Sequence, residues 1–407
     1  MTSLDFSALH EKNTIFSVAN QALKLTSAEE IKPILEDLAK LPKVTKLDFS
    51  GNTIGIEASR ALAESIQKSP KIKDHLLEIN FADLYTSRLV DEVVESLNIF
   101  VPTWLECPQL SIVNLSDNAF GLRTIDSLES YISQAAQLQH LILSNNGMGP
   151  FAGERIGKAL FKLAKLKQSQ GKPLLETFIC GRNRLENGSA THLALGLKAH
   201  GSGLKTVRLY QNGIRPQGVA VLLKHGLSNN KNLEVLDLQD NTFTTSASLI
   251  LADALPVWRE SLVELNVNDC LLKGPGANAV IQVLNEHTFT NLHTLKLQYN
   301  ELTQDTLVSG LLPAIQSENL PALKFLELNG NRLEEDSEAL TELDESFDGN
   351  LDELDDLEEV DSEDEEEEES EEESEEVMTV ADFDALEKAF TELQVDELTD
   401  QMAQASI

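Results

Sequence analysis

Hydrophobic positions along this chain return in one phrase, L-x-x-L-x-L-x-x-N. Nine segments fit it: VTKLDFSGN, LSIVNLSDN, LQHLILSNN, LETFICGRN, LKTVRLYQN, LEVLDLQDN, LVELNVNDC, LHTLKLQYN and LKFLELNGN. They end on Asn52, Asn118, Asn146, Asn183, Asn212, Asn241, Cys270, Asn300 and Asn331. The alternation inside each phrase predicts a short strand that buries every second side chain. A tenth segment, LLEINFADL, fits with Leu84 in the Asn place, and QALKL at residues 21–25 is the expected strand of an opening unit. The phrases recur every 28 to 37 residues, most often 29, which leaves room for a helix after each strand. FAGERIGKALFKLAKLK predicts one: Ile156, Leu160, Leu163 and Leu166 follow helical spacing, with Lys and Arg on the other side.

A unit of one strand and one helix cannot bury its apolar face alone, so such units stack. The expected fold class is α/β: a leucine-rich repeat solenoid of ten or eleven repeats, a horseshoe or crescent with a parallel β-sheet on the concave face and helices on the convex face. The phrase-ending Asn is expected to be buried where the strand turns away, its amide bonded to backbone groups of adjacent turns. Cys270 is a tolerated, inert substitute there.

If Asn146 serves that ladder, its neighbour Asn145 has no place in the core. The equivalent residues are Gly51, Asp83, Asp117, Arg182, Gln211, Asp240, Asp269, Tyr299 and Gly330. They are mostly polar groups that no core requires, and in a row they suggest a binding surface. The irregular second unit adds Arg88 in its outgoing loop. Two readings stand for it: a contact to a phosphate or carboxylate of a partner, or a surface ion pair with Asp91 or Glu92.

Composition sharpens this picture in two ways. Aromatics are 5% against 41% hydrophobic residues, so the core is aliphatic. The formal charge of -36 is concentrated at one end: residues 334–407 carry 34 acids and one base, residues 1–333 carry 34 acids and 31 bases. The expected organisation is therefore a repeat domain at 1–333, a disordered acidic tail at 334–376 and a short amphipathic segment at 377–407. In the last, Leu386, Phe390, Leu393 and Val395 have the spacing of an export signal, three on a helical face and the fourth where the chain extends; a helical cap on the last repeat is the alternative.

Other chemistry finds little support. Cys107, Cys180 and Cys270 form no C-x-x-C pair, so neither zinc nor a disulfide framework is expected. GPFAGERIGKA approaches a phosphate loop, but Ala152 and Ala159 stand where that motif needs Gly and Ser or Thr. No secretory leader or long apolar run is present, so the protein is expected to be soluble and in a reducing compartment, with the sequons at Asn114 and Asn187 unglycosylated.

Seven stretches, DFSGNTIG (48–55), ADLYTSRLVDE (82–92), NLSDNAFG (114–121), NNGMGP (145–150), CGRNRLENGS (180–189), QNGIRP (211–216) and LDLQDNTF (236–243), are followed by an acidic tail. Together they resemble the fungal Ran GTPase-activating proteins over nearly the whole chain. The resemblance implies acceleration of GTP hydrolysis on Ran in the cytoplasm, in support of nucleocytoplasmic transport. By it, Asn145 positions the catalytic glutamine of Ran without an arginine finger, and Arg88 engages Ran. Asp117, Arg182, Arg184, Gln211 and Asp240 are further contact candidates. No cofactor of its own is expected, since GTP and magnesium belong to the partner, and the chain is an activator rather than an enzyme. Ran-GTP is the expected partner, with a Ran-binding co-activator and an export receptor as further ones, and neither nucleic acid nor membrane. The expected location is cytoplasmic, excluded from the nucleus. The chain ends soon after its acid run, so the pore-anchoring domain of animal members is not expected. The competing reading is a passive repeat scaffold or inhibitor that binds its partner stoichiometrically.

Overall fold

The computed structural model describes residues 4–357 and 378–404. The chain divides into two compact units: one holds the chain up to Leu185 together with Gly203–Asn212, the other Glu186–Ser202 and the chain from Gly213 onward.

In the first unit the strands Ile15–Ser17, Lys46–Asp48, Glu78–Asn80, Ile112–Asn114, His140–Ile142, Thr177–Ile179 and Thr206–Arg208 pair in that order, all parallel and without a register slip. Leu141 lies opposite Val113 and Phe178, so the apolar members of successive phrases stack in one buried column. At the start of the unit the column is aromatic, with Phe16 to Phe49 at 6.0 Å and Phe49 to Phe81 at 5.8 Å. The opening strand is Ile15–Ser17 rather than QALKL. Phe16 and Val18 occupy the buried positions of the phrase, whereas Lys24 and Leu25 form a separate two-stranded pairing with Thr53–Ile54.

The helix foreseen from FAGERIGKALFKLAKLK spans Gly149–Ser169, with Ile156, Leu160 and Leu163 fully buried. Its face differs at the last turn: Leu166 is half-buried and Lys167 is buried in its stead. The Lys167 ammonium donates to the carbonyls of Ala136 at 3.0 Å and Pro173 at 2.8 Å, and burial lowers its pKa to about 8.

The phrase-ending asparagines form a ladder. Asn146 Oδ1 accepts from the Asn118 backbone N–H at 2.9 Å, and the Asn146 N–H in turn donates to Asn183 Oδ1 at 2.9 Å. Asn183 repeats the step to Asn212 at 2.8 Å. Leu84 does occupy the Asn place of its irregular unit: its side chain is fully buried, and its N–H donates to Asn118 Oδ1 at 2.7 Å.

The second unit carries the strands Val235–Asp237, Glu264–Asn266, Thr294–Lys296, Phe325–Glu327 and Asn350–Leu351, again parallel and in chain order. Here Cys270 replaces the ladder Asn, its thiol donating to the Leu238 carbonyl at 3.3 Å while its N–H reaches Asn300 Oδ1 at 3.1 Å.

The ordered fold does not stop at residue 333. A helix, Glu338–Ser346, buries Ala339 and Leu343, and Asn350–Leu351 extends the sheet. Asp352 then takes the Leu328 N–H at 2.8 Å and the Asn329 N–H at 3.0 Å, satisfying backbone donors that a following repeat would otherwise meet. The first acids of the run are thus a cap on the repeats, because two apolar side chains and a few carboxylates are placed among many solvated ones. The remainder of the expected disordered tail, residues 358–376, lies outside the described residues.

Residues Val380–Gln404 form one helix, so the backbone is still helical at Val395 and not extended. Its start is docked on the second unit. Phe383 is 1% exposed and stacks on His225 at 4.7 Å, and Lys198 bridges Glu387 at 2.7 Å and Asp384 at 3.3 Å.

Candidate functional site

The ten residues that precede the ladder position, from Gly51 to Gly330, all have left-handed backbone: Asp83 φ 48, Asp117 φ 61, Asn145 φ 54, Arg182 φ 56, Gln211 φ 52, Asp240 φ 54 and the rest alike. The strand turns away at this residue, and the turn directs its N–H along the sheet to the next unit. Asp117 N–H reaches the Ser144 carbonyl at 2.9 Å, Asn145 N–H the Gly181 carbonyl at 2.9 Å and Arg182 N–H the Tyr210 carbonyl at 2.9 Å. These positions therefore have a structural duty that the sequence reading denied them. Asn, Asp and Gly tolerate the left-handed region better than other residues. Their prevalence here, at Gly51, Asp83, Asp117, Asn145, Asp240, Asp269 and Gly330, was the signal that would have revealed it.

In the first unit the side chains of Asp83, Asp117, Asn145, Arg182 and Gln211 are exposed at the C-terminal ends of five consecutive strands. Neighbouring members of the row are set about 4.8 Å apart by strand pairing. Asn145 Nδ2 donates to Asp117 Oδ1 at 2.8 Å. Next to Asn145 in the chain, Ser144 accepts from the Tyr210 hydroxyl at 3.2 Å, and the Tyr210 ring lies so close over Gly181 that a Cβ there would meet it at 2.4 Å. Asn145 itself is exposed, while its neighbour Asn146 is fully enclosed. Arg184, two residues beyond Arg182, is likewise exposed and left-handed, φ 55.

Arg88 belongs to a cleft of about 410 Å³ that also includes Lys24, Asn52, Thr53, Asp83 and Ser87. Its ion-pair reading is met only weakly: Nη1 stands 3.6 Å from Glu92, whose other oxygen accepts the Leu89 N–H at 2.9 Å. Asp91 is engaged by Arg123 instead. The Nε of Arg88 is buried without a hydrogen-bond partner. Leaving a guanidinium N–H unmet is costly, so this side chain is incompletely satisfied in the free protein.

Asp240 lies in the second unit, exposed and left-handed like its counterparts, with its N–H on the Asn268 carbonyl at 3.0 Å. Asp269 follows it, and burial together with the Asp240 charge raises its carboxyl above the ordinary value. Of the export-signal candidates, Leu386 is half-buried and Phe390 stands edge-on to His192 at 5.5 Å. The side chains of Leu393 and Val395 lie outside the described residues. Among the described residues no group of three or more His, Cys, Asp or Glu is placed to hold a metal ion, and no helix is long and apolar enough to cross a membrane.

Parallel strands, helices between them, an asparagine ladder and an exposed polar row define a leucine-rich repeat protein. The family model described as Leucine Rich repeat matches residues 229–246. Among solved structures, an internalin of Listeria monocytogenes is similar at 15% identity and a TM-score of 0.39, over 83% of this chain and 86% of that one. The chain is 63% identical over 348 residues to Ran GTPase-activating protein 1 of Saccharomyces cerevisiae, covering 86% of each. To Ran GTPase-activating protein 2 of Caenorhabditis elegans it is 38% identical over 211 residues, 51% of this chain and 21% of that one. The chain belongs to the Ran GTPase-activating protein family.

Proposed function

We propose that this chain accelerates GTP hydrolysis on Ran and that Asn145 is the residue through which it does so. The observation that carries the reading is the pairing of two adjacent asparagines with opposite fates: Asn146 is enclosed in the ladder, while Asn145 is held out and exposed, its amide oxygen without a hydrogen-bond partner among the described residues. Identity of 63% with the yeast activator supports Ran as the partner.

In this mechanism the hydrolysis takes place in the active site of Ran, which brings the GTP and magnesium. The chain supplies position. The Asn145 carboxamide holds the catalytic glutamine of Ran so that the attacking water stays in line. Stimulation of the order of 10⁵ corresponds to about 7 kcal/mol off the barrier. Arg88, which lines an open cleft, engages a carboxylate or phosphate of the partner surface, and Arg182, Arg184, Gln211 and Asp240 add contacts. A co-activator that binds Ran, an export receptor that takes the C-terminal helix, and cytoplasmic residence belong to the same proposal. For the export receptor, Phe390 and Leu386 must first leave their places on the second unit.

The test is turnover with purified components. Substoichiometric amounts of this chain should discharge a large excess of Ran-GTP. Consumption of one chain per GTPase, with hydrolysis held at its intrinsic rate, would instead establish a stoichiometric inhibitor.

A further inference from the structure

We infer that Asp117 is a positioning residue: its carboxylate holds one amide hydrogen of Asn145 and so fixes which end of that carboxamide faces the partner. The inference rests on the proposal that Asn145 meets the catalytic glutamine of Ran.

A carboxamide on an exposed turn is two-faced, because rotation by half a turn about its last bond exchanges C=O for NH₂. Asn145 is exposed, and nothing in its own turn selects between the two orientations. Asp117 selects. An ionised carboxylate only accepts, so it welcomes the NH₂ and repels the carbonyl oxygen. The observed bond, Asn145 Nδ2 to Asp117 Oδ1 at 2.8 Å, is the allowed arrangement. Its geometry is imposed by the backbone. Both residues are left-handed, φ 61 and φ 54, at the ends of strands paired Val113 to Leu141. Their neighbours Asn118 and Asn146 are tied by the ladder bond at 2.9 Å. Among the described residues the Asp117 carboxylate makes no ion pair that would compete.

With NH₂ committed sideways, Asn145 presents Oδ1, an acceptor, to whatever approaches the strand ends. A glutamine side chain then docks through its own NH₂. That leaves the glutamine carbonyl turned away from Asn145 and free to accept a proton of the attacking water, the orientation that in-line attack needs. The reverse orientation of Asn145 would engage the glutamine carbonyl and turn its NH₂, a poor partner for the proton of a nucleophilic water, toward the γ-phosphate.

The experiment is stimulated single-turnover hydrolysis across a range of activator concentrations, so that the saturated rate and the half-saturating concentration separate. Asp117→Ala should lower the saturated rate about tenfold, the worth of one hydrogen bond's orientation, and move half-saturation less than twofold. Asp117→Asn accepts through its own carbonyl but tolerates either orientation of Asn145, so it should recover part of the loss. In an Asn145→Ala background, Asp117→Ala should cause no further fall. Asp117→Gly, which keeps the left-handed turn at no backbone strain, should behave as Asp117→Ala does and exclude misfolding as the cause. A raised half-saturation with an unchanged saturated rate, or a full additional loss in the Asn145→Ala background, would make Asp117 a direct partner contact and overturn the inference. Full activity of Asn145→Ala alone would instead overturn the proposed function on which it rests.

Discussion

Asn145 and Asn146 differ by one place in the chain, and the same substitution should act on them in opposite ways. In Asn146→Ala the lost side chain had accepted the Asn118 N–H at 2.9 Å and donated to the carbonyls of Leu115 and Leu143, each at 3.0 Å. The carbonyls are not orphaned, because Asn118 Nδ2 still donates to Leu115 at 2.9 Å and Asn183 Nδ2 to Leu143 at 2.8 Å. The Asn118 N–H is orphaned in a buried site, at a cost of about 1–3 kcal/mol, and two further bonds are lost at about 0.5–1.5 kcal/mol each, so a destabilisation of roughly 2–6 kcal/mol is expected. Asn145→Ala loses only an exposed bond, but it places Ala in the left-handed region, a backbone cost of about 1 kcal/mol. Asn145→Gly removes the same amide without that cost, and is the cleaner probe. Urea denaturation and stimulated hydrolysis on Ran, measured on the same preparations, give the two axes. Asn146→Ala should fall on the stability axis, and Asn145→Gly should keep its urea midpoint while losing stimulation by orders of magnitude. An Asn145→Gly protein with wild-type stimulation, or an Asn146→Ala protein as stable as wild type, would refute the division of labour.

Arg88→Lys should impair stimulation nearly as much as Arg88→Ala, since an ammonium cannot reproduce a planar fork with a buried Nε; wild-type stimulation by the Ala variant would reduce Arg88 to a partner of Glu92. Replacing the glutamates of residues 363–376 with glutamine should slow association with Ran severalfold at low salt and leave it unchanged at high salt if the acid run steers the encounter; equal rates at low salt in stopped-flow mixing would refute steering. Docking of the C-terminal helix should weaken on acidification. Burial foremost holds the His225 imidazole below its ordinary pKa of 6.5, with Lys224 and Lys198 acting the same way and the Met378 carbonyl and Asp384 opposing them. The undocked form therefore binds the proton first, and the docking contribution of His225, complete above pH 6.5, is lost as pH falls from there toward the lowered value. Amide exchange in residues 380–392 should speed up relative to the strands between pH 7 and pH 5, and His225→Phe should abolish that pH dependence; unchanged relative protection would show that His225 does not report docking.

The fold was legible because its phrase is governed by packing with a fixed period. Leu141, Leu143 and Asn146 each have one buried place to go, and even the irregular unit, with Leu84 in the Asn place, followed from spacing alone. The ends were less legible because spacing stops there. QALKL offered two apolar residues in the right rhythm, yet the opening strand is Ile15–Ser17, whose Phe16 continues the aromatic column of Phe49 and Phe81. At the other end composition misled: among so many acids, Leu343 and Asp352 look like part of a solvated run, but one buried side chain and one carboxylate aimed at two N–H groups suffice to close the last unit.

The candidate site was found in the sequence by elimination, as the residues the core does not use, and elimination cannot see a backbone requirement. Left-handed φ at every one of these positions means that Asn, Asp and Gly there are explained twice over, by the turn and by any partner. Arg182 and Gln211 are not, whereas Tyr299 has its own use, its hydroxyl donating to Asp356 at 3.0 Å. Arg182 and Gln211 are held at φ 56 and φ 52, where a long side chain brings a cost of about 1 kcal/mol. A partner contact for these two side chains is part of the proposed function, and it would offset that cost. Asn145 is distinguished differently. Asn suits the turn, but so does the Asp found at Asp83, Asp117, Asp240 and Asp269, and only the amide can donate to Asp117 while still offering an acceptor outward. Asn145→Asp therefore preserves the turn and sets two carboxylates against each other where one bond had been. It should leave folding at neutral pH nearly intact and abolish stimulation as fully as Asn145→Gly. An Asn145→Asp protein that still stimulates hydrolysis would show that any acceptor at this turn suffices, and that the amide's second function, toward Asp117, has no part in the reaction.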